Sequence, residues 1–338
     1  MRGSQNKSAG MRRLPRAKKA VLAGTGFLLA VVLASAAYEA ITVELDTRRS
    51  PEPGRLVDIG GIQLQLNCTG QGSPTVVLEA GLGDPLTEWN RVQTGIEKFC
   101  RVCSYDRAGY GGSEEGPMPR TSEVIARELH ALLRNAGEKA PFVLVGHSFG
   151  GYNARVFQGL HPTEVTGLVL VDAPQEDQYE LLPSQWKTLG AAMLHRYESQ
   201  AKWAPAFINL GVANLMLRWR GIPPSHLYLQ SKYLRARASE LRSVQVSAEQ
   251  ARAAGGMGDK PLVVLTAGKV DRAGLACVLD RQQIEESQRI WVDVLQMRLA
   301  RLSTRAKQVV VADSGHDIPT EDPEAVVNAV RDLITGAV

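Results

Sequence analysis

The sequence predicts an α/β protein built on a mainly parallel sheet with helices on both faces, and three observations predict it. Short, unbroken apolar runs recur along the chain: TVVLEA (75–80), PFVLVG (141–146), GLVLVDA (167–173) and PLVVLTAG (261–268). They alternate with stretches of helical spacing, and strands apolar at every position need cover on both sides. Finally, a lone serine, Ser148, stands between glycines directly after one such run and directly before a helix-like segment. At 338 residues and 44% apolar content the chain is long and apolar enough for one large α/β domain plus an insertion, or for two ordinary domains.

The first element is a charged head and an apolar run. Seven of the 39 Lys and Arg lie in residues 1–19, which hold none of the 35 Asp and Glu, so the rest of the chain is net acidic. Basic nucleic-acid surfaces are therefore not expected, and aromatic content of 6% offers no stacking platform for bases. Residues 20–37 carry no charge; with the basic flank ahead of them, they read as a transmembrane anchor or signal peptide whose N-terminus stays in the cytoplasm. As a helix, eighteen residues span about 27 Å, marginally enough to cross a bilayer. Ala34-Ser35-Ala36 has the small-x-small form of a signal-peptidase site, so cleavage near Ala36 is the alternative to a retained anchor. Either reading puts the body of the chain outside the cytoplasm: on the cell membrane as a single-pass protein, or secreted or periplasmic. Residues 39–54 read as a tether.

The body follows in order. RLVDIGGIQLQLNCTG (55–70) gives two short strands around the Gly60-Gly61 turn, and TVVLEA a compact strand ending in GLGD. Residues 89–99 have helical spacing, RVCSY (101–105) is the next strand, and 121–136 reads as a helix capped by Thr121 or Ser122. A crossover helix fills 151–160 between PFVLVG and GLVLVDA. From Pro174 to Asp259 no strong strand appears, only helical pieces bearing Trp186, Trp203 and Trp219. The alternation then resumes with PLVVLTAG, a long helix over 284–302, the strand KQVVVA (307–312) and a closing helix over 323–333. The expected domains are thus a core of 55–173 with 260–338 and a helical cap of 174–259.

Ser148 is the candidate nucleophile. Small residues on both sides permit a sharp turn that presents its hydroxyl above the sheet, near the positive end of the next helix. A serine needs a base to take its proton, and His316, in the polar loop ADSGHDIP after the last strand, is placed for that task. His147 adjoins the serine and is not expected to reach back to it; His130 and His161 read as surface or packing residues, and His195 and His226 fall in the cap. The orienting carboxylate is expected at Asp271, just beyond PLVVLTAG, with Asp172, at the end of GLVLVDA, as the alternative acid. Acyl transfer also needs oxyanion donors, and the Phe149 and Leu82 amides are the choices. GLGD is no dinucleotide fingerprint, and no cofactor is called for. Cys68, Cys100, Cys103 and Cys277 lack metal-ligand spacing, and Cys100 and Cys103, three apart in a strand-like run, point to opposite faces.

LEAGLGDP, YDRAGYGGSE, LVGHSFGG, LVLVDAP and SGHDIPTEDPEAV, in this order and spacing, make the chain resemble the α/β-hydrolase superfamily, and within it membrane-anchored or exported bacterial members with a variable cap. The resemblance implies an eight-stranded, mostly parallel sheet with a helical cap inserted between strands 6 and 7. It implies Ser148, Asp271 and His316 as nucleophile, acid and base, with Leu82 and Phe149 forming the oxyanion hole. It implies that strand 2 lies beside strand 4, which makes Cys68 and Cys103 the pair expected to form a disulfide. Haloalkane dehalogenases and soluble epoxide hydrolases of the superfamily use an aspartate nucleophile, and Ser148 argues against those chemistries. The expected activity is hydrolysis of a partly apolar, small-molecule carboxylic ester through an acyl-enzyme. The alternatives are an aminopeptidase or amidase using the cap acids Glu176, Asp177 and Glu180 to hold a substrate amine, and a catalytically silent binding module.

Overall fold

A computed structural model of the chain describes residues 15–49, 53–209, 219, 230–270, 275–276 and 278–338. The chain divides into two compact units, residues 1–50 with 206–224, and residues 51–205 with 225–338. In the first, helix α1 spans Arg16–Arg49. Its segment Arg16–Tyr38, with mean hydropathy 2.2, is the one described helix long and apolar enough to cross a membrane. Phe27 and Val21 are 73% and 68% exposed on it. The helix runs on through most of the expected tether, because no proline or glycine interrupts the chain between Tyr38 and Arg49; the first breaker is Pro51.

The second unit carries an eight-stranded sheet: β1 (Arg55–Asp58), β2 (Gln63–Thr69), β3 (Thr75–Glu79), β4 (Arg101–Tyr105), β5 (Phe142–His147), β6 (Val165–Val171), β7 (Leu262–Ala267) and β8 (Ala306–Val311). Their spatial order is β1-β2-β4-β3-β5-β6-β7-β8. β1 and β2 form an antiparallel hairpin, β2 pairs antiparallel with β4, and every later pair is parallel. Gly60 and Gly61 close the hairpin at φ 105° and 114°, and Asp58 Oδ1 accepts both of their amides. Only glycine adopts such angles freely.

The unbroken apolar strands are explained by two cores. In β3, Val77 faces one core while Val76 and Leu78 face the other; in β5, Leu144 opposes Val143 and Val145; in β6, Leu168 and Leu170 oppose Val169 and Val171. Helices α3 (Ser122–Ala136) and α4 (Gly150–Leu160) cover the first face, and α2 (Asn90–Ile96) with the closing Pro323–Thr335 helix covers the second. Thr121 caps α3 by accepting the Val124 amide, and Gly137, at φ 83°, ends it.

Cys68 and Cys103 are directly opposite in the β2/β4 register and are joined by a disulfide. Cys100 is buried, free, and belongs to the opposite core. The insertion between β6 and β7 is helical where described: Gln178–Leu181, Gln185–Asn209, Ser231–Arg242 and Val244–Ala253. His226, Cys277 and the basic residues ahead of Pro15 lie outside the described residues. The helix expected over 284–302 is three consecutive segments, Arg281–Ile290, a π turn at Trp291–Leu295, and Gln296–Ala300.

Candidate active site

The order reversal at β3, which lies between β4 and β5, opens a crevice at the carboxyl ends of β3 and β5. Ser148 stands there, one residue past β5, with φ 50°. Its amide donates to Val171 O and its carbonyl accepts the Gly151 amide, so the turn is closed at both ends. The flanking glycines are sterically required. A Cβ on Gly146 would lie 2.6 Å from Gly150 O, one on Gly150 would lie 2.4 Å from Glu79 O, and one on Gly151 would lie 2.4 Å from the Ala173 Cβ. The motif's small residues thus let α4 start against the strand tips and hold the serine in a conformation that L-residues rarely adopt.

His316 follows β8 in a loop fixed by Ser314, whose amide donates to Val311 O, and by Gly315, whose amide donates to Glu321 Oε2. Its Nε2 is 3.0 Å from Ser148 Oγ and its Nδ1 is 2.6 Å from Asp172 Oδ2. The aspartate end is dry and the histidine end open: the Asp172 side chain is 4% exposed and that of His316 57%. Asp172 sits one residue past β6 at φ 43°, and its Oδ1 accepts the Ala267 amide (2.9 Å) and Trp291 Nε1 (2.7 Å). The π turn carries Trp291 to this carboxylate, a placement that the sequence periodicity does not foretell.

Asp271, the first-choice acid, lies outside the described residues, and the carboxylate that meets His316 is the alternative, Asp172. Ser148 and Asp172 are the two described residues other than glycine with positive φ, each directly after a strand.

The crevice holds about 490 Å³ and is lined by Leu82, Asp84, Glu88, His147, Ser148 and His316, among others. Leu82 follows β3 in the GLGD turn, and Phe149 precedes the first turn of α4. Both ring nitrogens of His147 have partners other than the serine: its Nε2–H donates to the His316 carbonyl at 2.9 Å and its Nδ1 is ion-paired to Glu88, while its ring meets Trp89 edge-on. Burial alone would push the His147 pKa down, but Glu88, the His316 carbonyl and Asp84 outweigh it and raise it to about 9. Burial, reinforced by Glu88, pushes the Asp84 carboxyl up to about 6. The cap acids do not line this crevice. Glu176 is paired with Arg155, Asp177 with Arg252 and Arg298, and Glu180 is exposed.

Sequence reasoning gave no role to a buried network behind the crevice. Arg107, from the YDRAG motif, meets Glu79 at 2.9 Å and Glu240 at 2.9 Å, and its side chain is 2% exposed. The signal available was an arginine between apolar strands, which must be paired if buried, but its partner Glu240 is 133 residues away.

The strand order, the turn at the tip of β5 and the aligned serine, histidine and aspartate define a protein of the α/β-hydrolase class. The chain belongs to the Alpha/beta hydrolase family, whose model matches residues 76–329. A curated relative, "Probable transporter efuK" of Hormonema carpetanum, is 26% identical over 313 residues, 82% of this chain and 42% of that protein. The chain spans about two fifths of the length of the first curated relatives it matches. Among solved structures, an esterase from Thermogutta terrifontis is similar with TM-score 0.53 and 21% identity, covering 84% of this chain and 99% of the other. The epoxide hydrolase CorEH is similar with TM-score 0.57 and 16% identity, covering 84% and 99%. At these identities the solved structures speak for the fold.

Proposed function

We propose that the chain is a serine hydrolase that cleaves a carboxylic ester through an acyl-enzyme. The observation that carries this reading is the hydrogen-bonded line from Ser148 Oγ through His316 to Asp172. Ser148 attacks the carbonyl carbon while His316 Nε2 takes its proton, and Asp172 holds the imidazole tautomer and balances the imidazolium. The Leu82 and Phe149 amides receive the oxyanion. His316 then protonates the leaving alcohol, and activates a water that releases the acid and restores Ser148. Asp172 takes the acid role in place of Asp271.

A second reading, cleavage of an amide beside a substrate amine, draws support from Asp84 in the crevice lining rather than from the cap acids, which already have arginine partners or face solvent. The apolar helix Arg16–Tyr38 and the disulfide support an extracytoplasmic catalytic unit, anchored in the membrane or released by cleavage near Ala36.

The test is turnover of p-nitrophenyl esters from acetate to palmitate, and of aminoacyl p-nitroanilides, by the protein and by Ser148→Ala. Serine-dependent ester turnover is expected. Turnover of the anilides alone would favour the second reading, and turnover that survives Ser148→Ala would remove both.

A further inference from the structure

The Gly81-Leu82 peptide is set from behind. Arg107 Nη1 donates to Ala80 O and Nη2 to Gly81 O, both at 2.7 Å, and the Gly81 amide donates to Glu88 Oε2 at 3.2 Å. Two consecutive peptide planes are therefore pinned. In a trans peptide the carbonyl and the following N–H point in opposite directions. Holding Gly81 O against the guanidinium turns the Leu82 N–H away from it, and Leu82 lines the crevice with Ser148.

The guanidinium is itself fully engaged. Nε donates to Glu240 Oε1 (2.9 Å), Nη2 also to Glu240 Oε2 (3.1 Å), and Nη1 also to Glu79 Oε1 (2.9 Å). With the two carbonyls, all five of its N–H groups have acceptors. Tyr110 supports Glu240 at 2.6 Å, and Asn153 supports Glu79 at 3.0 Å. Glu240 lies on the Ser231–Arg242 helix, and Tyr233 of the same helix donates to Gly83 O at 3.0 Å. That helix, the chain's return from the cap, therefore grips the segment 80–83 twice: directly at Gly83, and at Ala80 and Gly81 through Arg107.

We propose that Arg107 is a positioning residue that orients the Leu82 amide toward the oxyanion, and that Glu240 holds Arg107 in that role, so that the base of the cap sets the oxyanion hole. This rests on the serine-hydrolase reading above. A lysine offers a compact charge with three donors and cannot fork across two carbonyls and two carboxylates. Glu240→Gln keeps the shape but removes the charge that fixes the guanidinium.

The test compares the full chain with Arg107→Lys and Glu240→Gln for p-nitrophenyl acetate kinetics and for inhibition by phenylboronic acid, whose tetrahedral adduct on serine places an oxygen where the oxyanion forms. Losing one oxyanion donor outright costs about 100- to 1,000-fold in kcat, so misaiming it is expected to cost about 10- to 100-fold in Arg107→Lys and about 3- to 10-fold in Glu240→Gln. KM should stay within about threefold while the boronate inhibition constant rises with the loss in kcat. A rise in KM alone, or kcat and boronate affinity within about twofold of the parent, would overturn the proposal. If Arg107→Lys does not fold, as judged by circular dichroism, Glu240→Gln decides by the same criteria. A parent that turns over ester independently of Ser148 would instead sink the serine-hydrolase reading, and this inference with it.

Discussion

Replacing Asp172 by Asn changes one atom, and the structure dictates its consequence. Asp172 Oδ1 already accepts two donors, the Ala267 amide and Trp291 Nε1, so the single oxygen of Asn is held at that position. The amide NH2 must then occupy the Oδ2 position, 2.6 Å from His316 Nδ1. A donor there requires Nδ1 to be the acceptor, which puts the ring proton on Nε2, facing Ser148. In that tautomer His316 cannot take the serine proton. The backbone resists little, because Asn is among the residues that best tolerate the φ of 43° found here. By the measured effect of the same change in a serine protease, kcat should fall by about 10⁴, equivalent to about 5.5 kcal/mol. The assay is ester turnover and the rate of fluorophosphonate labelling, with thermal unfolding as the control for folding and Asp271→Asn as the comparator. An Asp172→Asn protein retaining a tenth of the parent rate, or an Asp271→Asn protein suffering the larger loss, would refute the assignment.

Three further outcomes are expected. Ser148→Gly should remove turnover while stabilising the fold by about 1 kcal/mol, read as a rise in melting temperature, because glycine adopts the φ of 50° without the cost borne by serine. The His147–Glu88 pair should make stability fall on the alkaline side. The folded state holds the His147 proton with a pKa of about 9 against 6.5 for the free side chain, so the stabilisation is complete below pH 6.5 and is lost as pH rises through 9. Its size is about 3 kcal/mol at 1.4 kcal/mol per pH unit, and denaturant unfolding at pH 6 and pH 9.5 should show it in the parent and not in His147→Gln. Opening the Cys68–Cys103 bridge, which spans 35 residues, by a double serine substitution should cost about 2–4 kcal/mol in denaturant unfolding and leave kcat unchanged, since the bridge ties β2 to β4 rather than to the crevice.

The strands were legible because burial on both faces leaves an unmistakable mark, runs such as Val76-Val77-Leu78 and Val169-Leu170-Val171 with no polar alternation. The turn at Ser148 was legible for a local reason too. Gly146 and Gly150 have no room for a Cβ, so the constraint that bends the chain is written within three residues of the serine. His316 could be singled out because its short polar loop follows the last strand with a glycine before it. These features depend on neighbours in sequence, and the amino-acid order alone determines them.

The carboxylate that meets His316 was not of that kind. Asp172 and Asp271 both follow apolar strands, and nothing local distinguishes them. Asp172 meets His316 across 144 residues because β6, β7 and β8 lie side by side, with Asp172 following β6 and His316 following β8, and a π turn adds Trp291 to the same carboxylate. Arg107 likewise gains its meaning only when Glu79 and Glu240, 28 and 133 residues away, close around it. Sequence periodicity fixes which face a residue presents; which distant charge it finds there is decided by strand order and helix return, and these exist only in the folded chain.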